Sequence, residues 1–300
     1  MSKSTIYILM FSHIFLSAGT YIFGKAAAIS FPNPLIVTSY RAFGAMVIFL
    51  ILSGKVIPKP TFSKKDWFNV FLLGILLVPL NQFCFLYGIQ YTVPSHPALF
   101  YSLTPIGVLI CYSIIKLKFP KSLEITGIII SLIGVLIILR PWESGNSAQE
   151  LRTGDIWILG AVLSWIIYTV FAGHMCKKYD AIVVTSWSLI LGAVILSPYV
   201  IYSFINVNFS TIPVKAWLSL SWLIIITSVV MMLVWNILLK YLNPVKVSIS
   251  SNLQPPATVM LAVLLSLTGF LDSNQDTGLI FFAGMLLILS GVTILQFVKD

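Results

Sequence analysis

Residues 91–105 read YTVPSHPALFYSLTP, and residues 241–255 read YLNPVKVSISSNLQP. The two stretches carry the same residue at four matched places: Tyr91 with Tyr241, Pro94 with Pro244, Leu103 with Leu253 and Pro105 with Pro255. The same offset reaches back to Trp67 and Trp217. Nearer the N-terminus a slightly shorter offset pairs Ser17 with Ser164, Tyr21 with Tyr168, and Thr38-Ser39 with Thr185-Ser186. Further on, Gly127 and Gly134-Val135 are matched by Gly284 and Gly291-Val292. The chain therefore reads as one unit written twice, over residues 1–150 and 151–300.

Each unit is too apolar for a water-soluble fold. Of 300 residues, 58% are hydrophobic and 9% charged, against about 25% charged in a soluble domain. Helices satisfy their own backbone hydrogen bonds, so a chain of this kind can cross a bilayer repeatedly. A crossing takes about 20 mostly apolar residues. Ten segments qualify: 6–25, 34–53, 67–89, 95–115, 123–140, 154–174, 182–204, 215–238, 246–269 and 278–298. The run from Ile6 to Gly24 is long enough to span, so it reads as an uncleaved first helix and not as a leader. The expected fold is all-α and integral to the cell (inner or plasma) membrane. It has ten transmembrane helices, arranged as two five-helix repeats.

Charge sets the orientation. With the N-terminus inside, the inner loops hold most of the 18 basic residues: Lys3; Lys55, Lys59, Lys64 and Lys65; Lys116, Lys118 and Lys121; Lys177 and Lys178; Lys240 and Lys246; and Lys299. The outer loops hold Arg140, Arg152 and Lys215 against Glu143, Glu150, Asp155, Asp272 and Asp276. This is the positive-inside pattern, with both termini cytoplasmic. It accounts for the net charge of +9 without nucleic acid as a partner. Because five is odd, the second repeat enters the membrane from the opposite side. Inverted repeats are the arrangement of many secondary transporters, whose substrate site lies between the halves near the midplane.

Other classes lack their parts. Cys84, Cys111 and Cys176 show no metal or disulfide spacing. No GxxxxGK[ST] loop, HExxH or Ser/His/Asp set is present, so neither a primary pump nor an enzyme is expected, and no cofactor or metal. A passive channel would need a more continuous polar lining.

The order of these features resembles the drug/metabolite transporter superfamily, specifically its ten-helix EamA-type members. The resemblance covers the whole chain. It rests on Lys25 and Arg41 in the first two helices, on the mirrored Tyr-x2-Pro and Leu-x-Pro segments quoted above, and on the paired Gly-x6-Gly-Val endings. It implies a central cavity lined by the first four helices of each half, with the fifth and tenth peripheral. It also implies export or exchange of amino acids or similar metabolites by alternating access. Family members often carry an acidic residue before the proline of the ninth helix; here that position is Gln254, which cannot cycle a proton.

No Asp or Glu falls well inside a predicted span, so the candidate site rests on other groups. His13, and His96 at the start of the fourth helix, could titrate near neutrality or serve as polar packing. Arg41 lies about eight residues into the second helix, roughly 12 Å deep at ~1.5 Å per residue. A guanidinium keeps its charge, so Arg41 must face water, a ligand or backbone carbonyls. Lys25 is expected to snorkel to the outer interface. Polar and aromatic candidates for the cavity are Asn81, Gln82, Tyr87, Tyr101, Ser102 and Thr104. In the second half they are Trp165, Tyr168, Trp235, Asn236, Ser251, Asn252 and Gln254. Trp67, Trp142 and Trp217, at span ends, suit an interfacial belt. Pro79, Pro97, Pro105, Pro255 and Pro256 break the helical ladder; Pro79, Pro105 and Pro255 are the expected hinges. The lone cations favour a small-molecule substrate with a carboxylate, an amino acid satisfying both Arg41 and the amides. The alternative is a larger aromatic or drug-like compound. Membrane lipid is the other expected partner, and a monomer suffices.

Overall fold

A computed structural model describes residues 1–91, 95–117, 119–139, 148–267 and 279–296, with side chains for all of these except 95–96, 139, 148–152 and 295–296. The expectations placed on Thr92 to Pro94, the His96 side chain, Lys118, Arg140, Trp142, Glu143, the Glu150 and Arg152 side chains, Asp272, Asp276 and Lys299 lie outside what is described.

The described residues are helical almost throughout. Helix α1 (Lys3–Ser30) starts where the Ser2 hydroxyl accepts from Thr5 N–H at 3.2 Å. Helix α2 (Pro34–Leu52) starts at Asn33, whose side chain accepts from Leu35 N–H at 2.7 Å, with Pro34 at its first position. Both are local solutions to the orphan N–H groups of a helix start. Helix α3 (Lys64–Ile75) continues through a π segment, Leu76–Gln82, into α4 (Phe83–Tyr91). Pro79 sits inside that π segment; its ring and missing N–H force the ladder wider there.

Helices α5 (Ser95–Tyr101) and α6 (Thr104–Lys116) are separated by a break just before Pro105. Helix α7 (Ser122–Leu139) is followed by α8 (Ala148–Lys178), α9 (Ala181–Asn206) with Pro198 inside it, and α10 (Val214–Trp222). A second π segment, Leu223–Met231, leads into α11 (Met232–Tyr241). It stands opposite the first in the repeat but contains no proline. Its hydroxyls bond instead to the other half: Thr227 to Thr20 at 3.0 Å, and Ser228 to Arg41 at 2.7 Å. The next segment is split into α12 (Pro244–Ser248), a 3-10 stretch Ile249–Leu253, and α13 (Gln254–Leu267), with Pro255 and Pro256 in its first turn. Helix α14 (Leu279–Gln296) comes last.

The backbone departs from regular helix around Pro79 and just ahead of Pro105 and Pro255; Pro97 and Pro256, also expected to break the ladder, lie within α5 and α13. A fourth departure, Leu223–Met231, had no residue to announce it. Seven of the described helices are long and apolar enough to cross a membrane. Ser122–Ile138 and Leu279–Ile294 are apolar but shorter.

Packing relies on close fit. Lipid tails are as apolar as a leucine side chain, so helix association in a membrane comes from van der Waals contact and hydrogen bonds. The glycines of α7 and α14 lie against one another. A methyl group on Gly134 would come within 2.6 Å of Gly284 O, and one on Gly284 within 2.9 Å of Gly134 O. Gly291 likewise abuts Gly127 O. Gly127 matches Gly284 in the repeat yet touches Gly291, while Gly134 matches Gly291 yet touches Gly284. That exchange of partners is the contact pattern of a twofold axis. Gly74 of α3 and Gly192 of α9 meet in a similar way, a methyl on Gly74 coming within 2.9 Å of Gly192 N. The larger core clusters mix residues of both halves. In one, Phe49 and Leu77 pack with Tyr168, Leu189 and Trp235.

One expectation is corrected. Lys25 neither ends the first helix nor snorkels. Helix α1 runs five residues further, and Lys25 Nζ donates to the carbonyls of Ile89 at 2.8 Å and Gln90 at 2.9 Å. A cation at the C-terminal end of α4 meets both its orphan acceptors and its dipole.

Candidate functional site

Four groups of helices converge on a central cavity of about 60 Å³, room for a few water molecules at roughly 15 Å³ each. Helix α1 brings His13, Thr20 and Tyr21, and α2 brings Arg41. The first π segment and α6's neighbour α5 bring Asn81 and Tyr101. From the second half come Trp165, Thr227, Met231 and Gln254. Neither α7 nor α14 reaches it.

Arg41 is 4% exposed. Its Nε donates to Ser228 Oγ at 2.7 Å, which fixes the guanidinium plane. No carboxylate among the described residues pairs with it. Gly44, one turn further along α2, brings that helix against Ile224 of the second π segment, where a methyl group would come within 2.8 Å. The π segment thereby presents Ser228 to Arg41. The matched position in the second half is Ser188, fully buried. Its carbonyl lies where α9 meets Gly74, with 2.6 Å to a methyl built there, and its hydroxyl is buried without a partner.

Around Arg41 the polar groups are held in place. Asn81 Nδ2 donates to Tyr101 Oη and to Ala161 O, both at 2.8 Å. Tyr101, acting as acceptor there, keeps its own O–H as a donor. Tyr21 Oη donates to Gln254 Oε1 at 2.7 Å, which leaves the Gln254 amide N–H2 as a donor. His13 is 1% exposed and neither ring nitrogen has a partner. A buried polar group without a partner costs about 1–3 kcal/mol, and unsatisfied groups of this kind mark places where a ligand or water belongs.

Two aromatic walls flank the cavity. Tyr21, Phe85 and Tyr101 meet edge-on with centroids 6.0–6.1 Å apart. On the other side His13 and Trp165 line the cavity, backed by Trp235, 4.8 Å from His13 and 5.1 Å from Trp165, and by Tyr168, stacked 5.5 Å from Trp165.

Of the residues expected from sequence, the structure gathers His13, Arg41, Asn81, Tyr101, Trp165 and Gln254 around the cavity. It puts Trp235 and Tyr168 behind the wall, where Asn236 Nδ2 donates to Tyr168 Oη and Thr185 Oγ1, both at 2.8 Å. Tyr87 belongs to a separate cluster with Phe83, Tyr91 and Trp157. Ser102 bonds back to Leu99 O at 2.5 Å, and Gln82 is buried with its amide unpartnered. Thr20, Tyr21, Phe85, Thr227 and Ser228 were missed. For Tyr21 a signal existed, since it is matched by Tyr168 across the repeat. Among the described residues, no group of three His, Cys, Asp or Glu could hold a metal.

The two ends of the bundle close differently. Phe31 precedes α2 and Phe62 follows it, so they sit at opposite ends of a helix roughly 28 Å long at ~1.5 Å per residue. At the Phe62 end, Asp66 Oδ2 accepts from Ser63 Oγ at 2.5 Å, Lys178 Nζ at 2.6 Å and Tyr179 Oη at 2.8 Å. This ties the start of α3 to the end of α8. Phe62, Trp67, Tyr179 and Trp187 meet edge-on beside it. At the Phe31 end, Trp217 packs on Phe31 and Phe209, and Phe209 on Tyr40. Trp67 and Trp217, matched in sequence, thus lie at opposite ends, in aromatic clusters between helices.

The sequence profile of the EamA-like transporter family matches residues 4–140 and 152–297. The chain is 25% identical over 270 residues to an uncharacterized transporter of Bacillus subtilis, YyaM, covering 87% of this chain and 86% of that one. It is 24% identical to an uncharacterized transporter of Archaeoglobus fulgidus (87% and 89% covered). It is 23% identical to an uncharacterized inner membrane transporter of Salmonella typhimurium, YicL (84% and 80% covered). A solved crystal structure superposes with a TM-score of 0.70 at 18% identity, over 98% of this chain and 97% of the other; at that identity the likeness concerns the fold.

Proposed function

The chain belongs to the EamA-like transporter family, a multi-pass transporter of the cell membrane, and we propose that it is a secondary carrier for an amino acid or related carboxylate-bearing metabolite, working by alternating access in the direction of export. One observation carries the substrate class. Arg41 is buried in the cavity wall, held by Ser228, and has no carboxylate partner among the described residues. A permanent charge in a buried wall must meet water, carbonyls or a ligand, and a substrate carboxylate is the partner that also matches its flat pair of donors. Tyr101, Gln254 and His13 then face the rest of the solute.

In this reading ten helices form two inverted repeats. The exchange of glycine partners between α7 and α14 supports it. So does the distribution of cations: Lys55, Lys59, Lys64, Lys177, Lys178 and Lys240 gather at the Phe62 end, which faces the cytoplasm under the positive-inside rule, together with both termini. A cavity of about 60 Å³ has room for only a few water molecules at roughly 15 Å³ each, so in this reading the helices part to admit a solute. The Asp66 network is the inner closure, and the Trp217 cluster is the outer one. The π segments and the breaks at Pro105 and Pro255 absorb the rocking.

The test is counterflow in proteoliposomes with a panel of labelled amino acids. Saturable counterflow that vanishes in Arg41→Ala at full expression supports the reading. Non-saturating flux would indicate a channel, and transport unchanged in Arg41→Ala would assign Arg41 to structure alone.

A further inference from the structure

Away from the central cavity, a cleft of about 520 Å³ opens at the lysine-rich end of the bundle. The last turn of α6 contributes Lys116, and the start of α7 contributes Lys121 and Glu124. The last turn of α8 contributes Lys177, and the junction of α11 with α12 contributes Tyr241 and Asn243. Three lysines thus face one carboxylate, and that carboxylate is partly committed, since Glu124 Oε2 accepts from the Lys121 backbone N–H at 2.8 Å. Lys116 Nζ lies 5.9 Å above the Tyr112 ring, so the ring steadies the ammonium over the cleft. Hydroxyl and amide groups beside ammonium groups suit a phosphate ester.

The neighbouring surface distinguishes a lipid from a soluble anion. Ile110 and Ile114 lie one turn apart on α6 and are 52% and 66% exposed; Leu117, in left-handed backbone just past the end of α6, is 91% exposed, and Phe119 beside it is 99% exposed. The stripe runs along the exposed apolar side of α6, and Phe119 at its end lines the cleft. A free phosphate could use the lysines but has nothing to lay on the stripe. An acyl chain does.

We propose that this cleft binds the phosphate headgroup of an anionic membrane lipid, with an acyl chain lying along Ile110, Ile114 and Leu117. Basic pockets between helices at the cytoplasmic side take such headgroups, and bound lipid would brace the ends of α6 and α8 against each other.

The test uses the full-length protein purified in a nonionic detergent. Thermal unfolding is followed with added phosphatidylglycerol, phosphatidylcholine or glycerol phosphate, and retained lipid is counted by native mass spectrometry. The expected result is a higher midpoint and one retained lipid with phosphatidylglycerol only. In the double variant Lys116→Gln, Lys177→Gln, whose changed side chains are exposed and so leave the fold intact, the shift falls by at least half. In Leu117→Ser, Phe119→Ser it falls as well, while glycerol phosphate remains without effect. Equal shifts with phosphatidylcholine, or an undiminished shift in the lysine variant, would overturn the proposal. Stabilisation by glycerol phosphate as strong as by the lipid would replace it with a soluble-phosphate site.

Discussion

Tyr21 donates its phenol proton to Gln254 Oε1 at 2.7 Å, joining α1 to α13 across the cavity. The amide at 254 accepts that bond in every pH range, because it does not titrate. A carboxyl group there would accept it more strongly when ionised than when protonated, and its charge would sit in the same cavity as Arg41. In Gln254→Glu, transport is therefore expected to gain a pH dependence that the native protein lacks at this position. Counterflow rates across acidic to neutral pH decide it; parallel profiles for the two proteins would refute the assignment.

Arg41→Lys keeps the charge and loses the fork. A lysine ammonium cannot both donate to Ser228 and present a flat pair of donors to a carboxylate. Hydrogen bonds to charged groups are worth about 1.5–3 kcal/mol each, so uptake should fall by roughly tenfold to a hundredfold. Arg41→Ala should fall further. Thermal unfolding of the detergent-purified variants should stay close to that of the native protein, and a collapse of the folded fraction would instead mark Arg41 as structural.

At the lysine-rich end, Asp66→Asn weakens the bond between α3 and α8. Lys178 is 53% exposed, so solvent screens its share. The population of open forms should rise modestly. Ser17→Cys, which lines the cavity, reports it in a background with Cys84, Cys111 and Cys176 changed to serine. Labelling by an impermeant thiol reagent added from the lysine-rich side should rise in Asp66→Asn. No rise would remove the network from the gating role.

The glycine contact between α7 and α14 should be a stability element. Gly134→Leu places a side chain against the Gly284 carbonyl, where even a methyl group is too close. Overpacking of this kind costs about 1–3 kcal/mol. Unfolding should occur at a lower temperature, while the substrate affinity of the folded fraction should be unchanged, since neither helix touches the cavity. Altered affinity would show that the pair communicates with the site.

Much of the fold was legible in the chain itself, and for definite reasons. Asn33-Pro34 starts α2 because Asn caps and Pro fits the first turn; Pro79 disturbs its helix because the ring removes a bond. Those are local effects. The depth of Arg41 followed from counting residues. The π segment at Leu223–Met231 was not legible, because what holds it is a set of bonds from Thr227 and Ser228 to another half of the molecule.

The sequence by itself determined that this chain lives in a membrane, that its helices come in matched sets, and that Arg41 is a charge in need of a partner. Hydropathy, repetition and charge are each properties of the residues in order. Only the tertiary structure decided which side chains meet. It brought Tyr21 to Gln254 over a separation of 233 positions, set Lys25 on the end of α4, and moved Tyr168 and Asn236 behind the cavity wall. In water, the apolar stripe of a helix points to its core and can be read from periodicity. In lipid both faces are apolar, so the inward face carries no hydrophobic mark, and only packing reveals it.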